Sequence, residues 1–136
     1  MTYAVSSALQ AAVFTAVASD AAVQASVGAN VFDEPPSGGV PLTYVIVGEE
    51  DVRGLSDVTA EGAVHDFTIS VFSDAAGFSA AKAVAGAVSD VLTDADLLLV
   101  RGRLVYLRFL KARARRGKAP DARRIDLRFR ARVEDV

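Results

Sequence analysis

Between residues 124 and 133 the chain alternates without a break. Ile125, Leu127, Phe129, Ala131 and Val133 are apolar, while Arg124, Asp126, Arg128, Arg130 and Arg132 are charged. A period of two sustained this long describes a strand with one face in a core and the other in water. The same period occurs upstream, where Val105, Leu107 and Phe109 are expected inward and Tyr106 and Arg108 outward. Gly117, Pro120 and Asp121 mark the turn between the two runs. The last third of the chain therefore reads as a long β-hairpin whose outer face is studded with arginine.

The rest of the chain supplies the cover for the apolar face. Val5, Leu9, Ala12, Val13, Ala16 and Val17 recur at helical spacing, which predicts an amphipathic helix over about 4–18. Asp20 can cap a short second helical turn that Gly28 ends. A short strand is expected at 30–33, a loop at 34–39 and a central strand at 43–47. The polar, acidic stretch 48–62 reads as a loop of about fifteen residues, a length associated with functional segments. From Val64 to Ser73 the alternation returns, with Phe67, Ile69 and Val71 on one face and Asp66, Thr68 and Ser70 on the other. A helix follows from Gly77, with Ala81, Val84, Val88, Val91 and Leu92 on one side, and ends near Asp94. Residues 97–100 read as a short strand turning at Gly102 into the hairpin. The expected fold is α/β in the α+β sense. It is one domain over 1–136, with a single mostly antiparallel sheet, two main helices on one face and the long C-terminal hairpin.

Charge is distributed just as unevenly along the chain. Residues 1–100 hold two basic groups, Arg53 and Lys82, and thirteen acids, so 2 − 13 = −11. Residues 101–136 hold thirteen Lys or Arg and four acids, so 13 − 4 = +9. A dipolar chain of this kind suits a partner for its basic face: nucleic acid, another protein, or the acidic part of a second copy. The last option is head-to-tail and closes into a ring or runs on as a fibre. There is no cysteine, hence no disulfide. The first basic residue is Arg53, so the start lacks the basic region of a secretory signal. Apolar runs are interrupted well before eighteen residues, so no membrane span is expected.

Catalytic chemistry finds few candidates. His65 is the sole histidine, so neither a His/Cys zinc site nor a Cys–His pair can be built within one chain. His65 and Asp66 are neighbours on a strand and point to opposite faces, so they form no dyad; His65 is expected to be a satisfied strand-end or interface histidine. No G-x-S-x-G elbow, P-loop or G-x-G-x-x-G is present. No cofactor, metal or catalytic residue is expected. The arginine face, comprising Arg108, Arg124, Arg128, Arg130 and Arg132, has three readings. It is a solvated face with cross-strand pairs to Asp126 or Asp66. It is a phosphate-binding surface, against which stand the net acidity of the chain and a single stacking aromatic, Tyr106. Or it is a protein interface, with Glu49, Glu50, Asp51, Asp57 and Glu61 of a neighbouring copy as the complement.

Three segments carry a resemblance. Ser7-Ala8-Leu9-Gln10-Ala11-Ala12-Val13 resembles the first helix of phage minor tail proteins of the tail-completion, or tail-terminator, family. The similarity continues in His65-Asp66-Phe67-Thr68-Ile69-Ser70-Val71-Phe72-Ser73 and ends in the two arms of the hairpin, Gly102 to Phe109 and Arg124 to Val133. It covers nearly the whole chain and is nearest to the version found in bacterial gene transfer agents. The resemblance implies a hexameric ring that caps the finished tail tube, stops its polymerisation and meets the head connector, with DNA passing through the channel. It implies as partners the chain itself, the tube protein and the connector protein, and a place in the released particle after cytoplasmic assembly. Loops 33–40 and 48–62 are the expected contacts with the tube or with neighbours. The alternative is a nucleic-acid-binding module that uses the arginine face.

Overall fold

A computed structural model describes residues 3–35, 41–55, 62–74, 77–116 and 122–135. The expected hairpin tip at 117–121, most of loop 33–40, and Asp57 and Glu61 lie outside the described residues. The order of elements is α1 (Ser6–Ser19), α2 (Ala21–Val27), β1 (Val31–Phe32), β2 (Thr43–Leu55), β3 (Gly62–Ser73), α3 (Ser79–Leu92), β4 (Arg103–Arg116) and β5 (Arg123–Glu134). The strands form one sheet in the order β1-β2-β3-β5-β4. The β1–β2 pair is parallel and every other pair antiparallel, as an α+β fold with a mostly antiparallel sheet requires.

The helices form because their apolar residues return every third or fourth position. Val5, just before α1, and Leu9, Val13 and Val17 on it make one buried stripe, with Ala12 and Ala16 at its margin. Asp20 caps α2 through a carboxylate that accepts from the Val23 N–H at 3.1 Å. Gly28, at φ +60°, ends α2. On α3, Ala81, Val84, Ala85, Val88 and Leu92 are buried. Asp94 stops α3 in a left-handed conformation, and its N–H donates to the Leu107 carbonyl at 2.9 Å, tying the helix end to β4. None of the described helices is by itself long and apolar enough to cross a membrane.

Helices and sheet share one core. Phe67, Ile69 and Val71 from β3 meet Ile125, Leu127, Phe129, Ala131 and Val133 from β5 beneath the helices. Phe129 is fully buried, its ring 5.7 Å from Phe67 and 5.8 Å from Phe109. Burial of this density is what stabilises a sheet covered on one side only.

Four expectations need correction. The stretch 48–62 is not a loop in its described part, because β2 runs on to Leu55. Its partner β3 is twelve residues long, and the backbone groups of β3 that face β2 must be paired; Glu50↔Phe67 through Leu55↔Gly62 pairs them. Glu and Asp are poor strand formers, which hides the strand in the composition. In the first hairpin arm, register shifts between Leu104 and Tyr106 and between Phe109 and Lys111 break the simple alternation. Leu104 and Leu107 are buried, and Val105 is 40 % exposed. Phe109 does face the helix side, but on the edge strand it remains 41 % exposed. Residues 97–100 form no strand; Leu99 is buried, whereas Leu98 and Val100 are almost fully exposed. Finally, His65 lies mid-strand in the core and not at a strand end.

Phe129→Ala should destabilise the subunit by about 3–5 kcal/mol through lost burial and a cavity. Phe109→Ala, on the half-open edge, should cost less than half as much. Gly102 sits at φ +77°, and a Cβ there would stand 2.7 Å from the Glu134 carbonyl oxygen, so Gly102→Ala should also be destabilising. Urea midpoints of the three variants check the order; equal losses at Phe129 and Phe109 would contradict the burial pattern.

Candidate functional site

The face of the sheet away from the helices is built by strand register. On β5 the outward residues are Arg124, Asp126, Arg128, Arg130 and Arg132, as alternation demands. Cross-strand pairing then sets each of them in a row. One row reads Asp51, Asp66, Arg130, Arg108 from β2 to β4. Others place Thr68 beside Arg128 and Lys111, Ser70 beside Asp126 and Arg113, and Phe72 beside Arg124 and Arg115. Acids therefore gather on the β2 and β3 side and cations on the β5 and β4 side. The split seen along the chain is a split across one surface.

Much of the β5 arginine is already engaged within the chain. Arg130 grips Asp66 through two hydrogen bonds of 2.7 and 2.9 Å. Arg128 donates to Asp51 at 2.8 Å and to Thr68 at 3.3 Å. Arg124 donates to Asp126 at 2.8 Å and lies over the Phe72 ring. Arg115 of β4 reaches Asp126 at 3.2 Å, and Ser70 donates to the same carboxylate at 2.6 Å. Arg108 stacks on Tyr106, its guanidinium carbon 3.9 Å from the ring centre. Arg132 sits in register beside Val64, and its Nε is buried without a partner among the described residues. The Arg130 fork holds the Asp66 carboxyl below the usual carboxylate range. Burial works to raise Asp126, but Ser70, Arg124 and Arg115 together outweigh it and hold the carboxyl low.

The expected acidic complement does not stay together. Glu49 is exposed and Asp51 stands on the outer face. Glu50 turns to the helix side because the register shift between Val47 and Glu50 reverses the alternation there. Its carboxylate accepts from the Tyr3 and Ser6 hydroxyls and lies 3.3 Å from His65 Nδ1. Burial raises the Glu50 carboxyl, while the bonds from Ser6, Tyr3 and His65 lower it by more. This polar cluster ties the start of α1 to the sheet, but His65 is not the fully satisfied histidine expected, since its Nε2 is buried without a partner among the described residues. The cluster does not build a triad, because Ser6 and His65 both address the carboxylate and the His65 ring is not set to take the Ser6 proton.

The sequence reading missed the cations of β4. Lys111, Arg113, Arg115 and Arg116 all lie on exposed strand, and the first three line a groove of about 740 Å³ with Arg124, Arg128 and Asp126. Lys111, Arg113 and Arg116 have no acidic partner among the described residues. The signal was present as basic residues two apart at 111, 113 and 115.

The family described as Tail completion protein gp17 matches residues 11–134. Among solved structures, the chain is similar to one in the virion of a native gene transfer agent particle. The two are 59 % identical, with a TM-score of 0.92, over 98 % of this chain and 99 % of that one. No curated protein matches the chain.

The lowered carboxyls make acid stability predictable. Asp66, Asp126 and Glu50 have folded-state values below their unfolded ones of 3.8, 3.8 and 4.5. Their contribution is complete above the unfolded values and is lost as pH falls through the depressed folded values. Stability should be level above about pH 5 and fall steadily below about pH 4. Asp66→Asn should lower the plateau and flatten the acid slope. Urea midpoints between pH 2.5 and 7 read both effects; an unchanged slope in Asp66→Asn would show that its pair with Arg130 contributes nothing.

Proposed function

Starting from a chain that belongs to the tail completion protein family, a structural component of phage-like tails, we propose that it is the terminator of the tail. In this reading six copies form a ring on the end of the tail tube, stop further addition of tube subunits and present a surface to the head connector. DNA crosses the ring in transit through its channel. The partners are further copies of the chain, the tube protein and the connector protein. Assembly takes place in the cytoplasm, and the ring leaves with the particle. No step in this role needs a bond made or broken by the protein.

One observation carries the reading beyond family membership: charge is sorted across a single face, acidic on β2 and β3 and basic on β5 and β4. A subunit of this kind has two unlike sides. Unlike sides favour heterologous contacts, and heterologous contacts that close produce rings. The basic groove along β4 and β5 supports the second reading, in which the partner of this face is nucleic acid.

Salt and charge reversal separate the two. The Debye length falls from about 10 Å at 0.1 M salt to about 3 Å at 1 M, so a ring held partly by exposed charge should loosen over that range. Arg113→Glu should weaken assembly at least about tenfold, since like charges are then set against the acidic side of a neighbour. Arg130 is a poor probe, because reversing it also breaks the pair with Asp66. Sedimentation and native mass, with and without duplex DNA, read the outcome. A ring-sized mass without DNA that dissociates with salt supports the terminator. A monomer retained on DNA in a salt-dependent way, lost in Arg113→Glu, would favour the second reading.

A further inference from the structure

The sheet has two open edges, and they are oppositely charged. On one side β1 covers β2 only at Val45 and Ile46, through pairs with Val31 and Phe32. From 47 to 55 the outer edge of β2 has no strand beside it among the described residues, and this stretch carries Glu49, Glu50 and Asp51 against Arg53. On the other side β4 ends the sheet. Its residues 108–116 are all exposed, and Lys111, Arg113, Arg115 and Arg116 fall in that stretch with no acid. Long uncovered edges with free backbone N–H and C=O groups are templates for further pairing.

Strand direction makes the two edges compatible. Each step from β2 to β3, β5 and β4 is antiparallel, so β4 runs opposite to β2. A second copy set beside the first with its sheet face turned the same way would bring its β2 antiparallel to the first copy's β4. Pairing of like edges is disfavoured: β4 on β4 sets cations against cations, and β2 on β2 sets acids against acids. Deepening the ring reading above, on which it rests, we propose that the 110–116 stretch of β4 adds as a strand to the 47–55 edge of β2 in the next copy. The sheet then continues from subunit to subunit. Main-chain hydrogen bonds supply attraction, Lys111, Arg113 and Arg115 meeting Glu49 and Asp51 supply register and direction, and closing the ring removes both edges at once.

The absence of native cysteine allows a direct test. Ala112 and Ala114 on β4 and Val52 on β2 share the helix-side face of the sheet by register. Each is replaced by Cys alone, and a short bis-maleimide is added to assembled ring or to purified particles. Mixing Val52→Cys with Ala112→Cys or Ala114→Cys should give a linked dimer, whereas each variant alone should give none. A double variant carrying Val52→Cys and Ala112→Cys should give a ladder ending at ring size. Arg113→Glu should cut the link at least tenfold, and Glu49→Arg in the neighbouring copy should recover part of it. A ring-sized species by sedimentation that gives no link at either β4 position would overturn the strand pairing and leave the ring reading standing. So would linking of Ala112→Cys to itself, or protection of these cysteines by duplex DNA with no link. Absence of any ring-sized species in solution and in particles would remove both.

Discussion

The pairing of β3 with β5 governs the rest of the molecule. Twelve successive pairs run from Gly62↔Glu134 to Ser73↔Arg123 without a register shift. That one ladder decides two surfaces together. On the covered side it stacks Phe67 on Phe129 and lays Ile69 beside Leu127. On the open side it sets Asp66 against Arg130 and Ser70 against Asp126. A slip of one residue would send Arg130 into the core and Phe129 into water, so the apolar face and the charged face enforce each other. The irregularities sit in the flanking strands, β2 and β4, where the demands of the core are weaker.

The open face is balanced unevenly by this ladder. Arg124, Arg128 and Arg130 have carboxylates of their own chain, which leaves much of the arginine on β5 neutralised. The net positive charge is displaced outward to β4, whose outer edge has no strand beside it among the described residues. The exposed pair of Arg128 with Asp51 adds little to folding, since Asp51 remains 83 % exposed. The bidentate Arg130–Asp66 pair is better shielded and holds a fixed geometry.

Legibility followed periodicity. α1, α3, β3 and β5 were readable because their apolar residues keep one period from end to end; Val5 to Val17 and Ile125 to Val133 are the clearest cases. The cap at Asp20 and the stop at Gly28 were readable because each acts on its immediate neighbours. β2 was read only to 47, since a strand of acidic residues is held by its partner's backbone and not by its own composition. The phase of β4 was lost at its two register shifts, which moved burial from Val105 to Leu104. At the candidate site the β5 arginines were found, but their partners were not. Arg128 and Asp51 stand 77 residues apart, and nothing local says that they meet. Glu50 was grouped with Glu49 and Asp51 because a run of acids looks uniform, while the shift after Val47 turns it to the other side of the sheet.

The outer half of β4 has a consequence for how such a chain can change. Residues 110–116 add almost nothing to the core, and substitutions at exposed positions of this kind usually move stability by no more than about 0.5 kcal/mol. Folding therefore exerts little selection on their identity, beyond the demand that the backbone remain extended. The core beneath α1 and α3 is bound by the opposite rule, since each methylene there is felt. The molecule thus separates positions fixed by packing from positions that packing leaves free. Substitution along this strand can therefore alter the charge of the sheet's edge while leaving the fold in place.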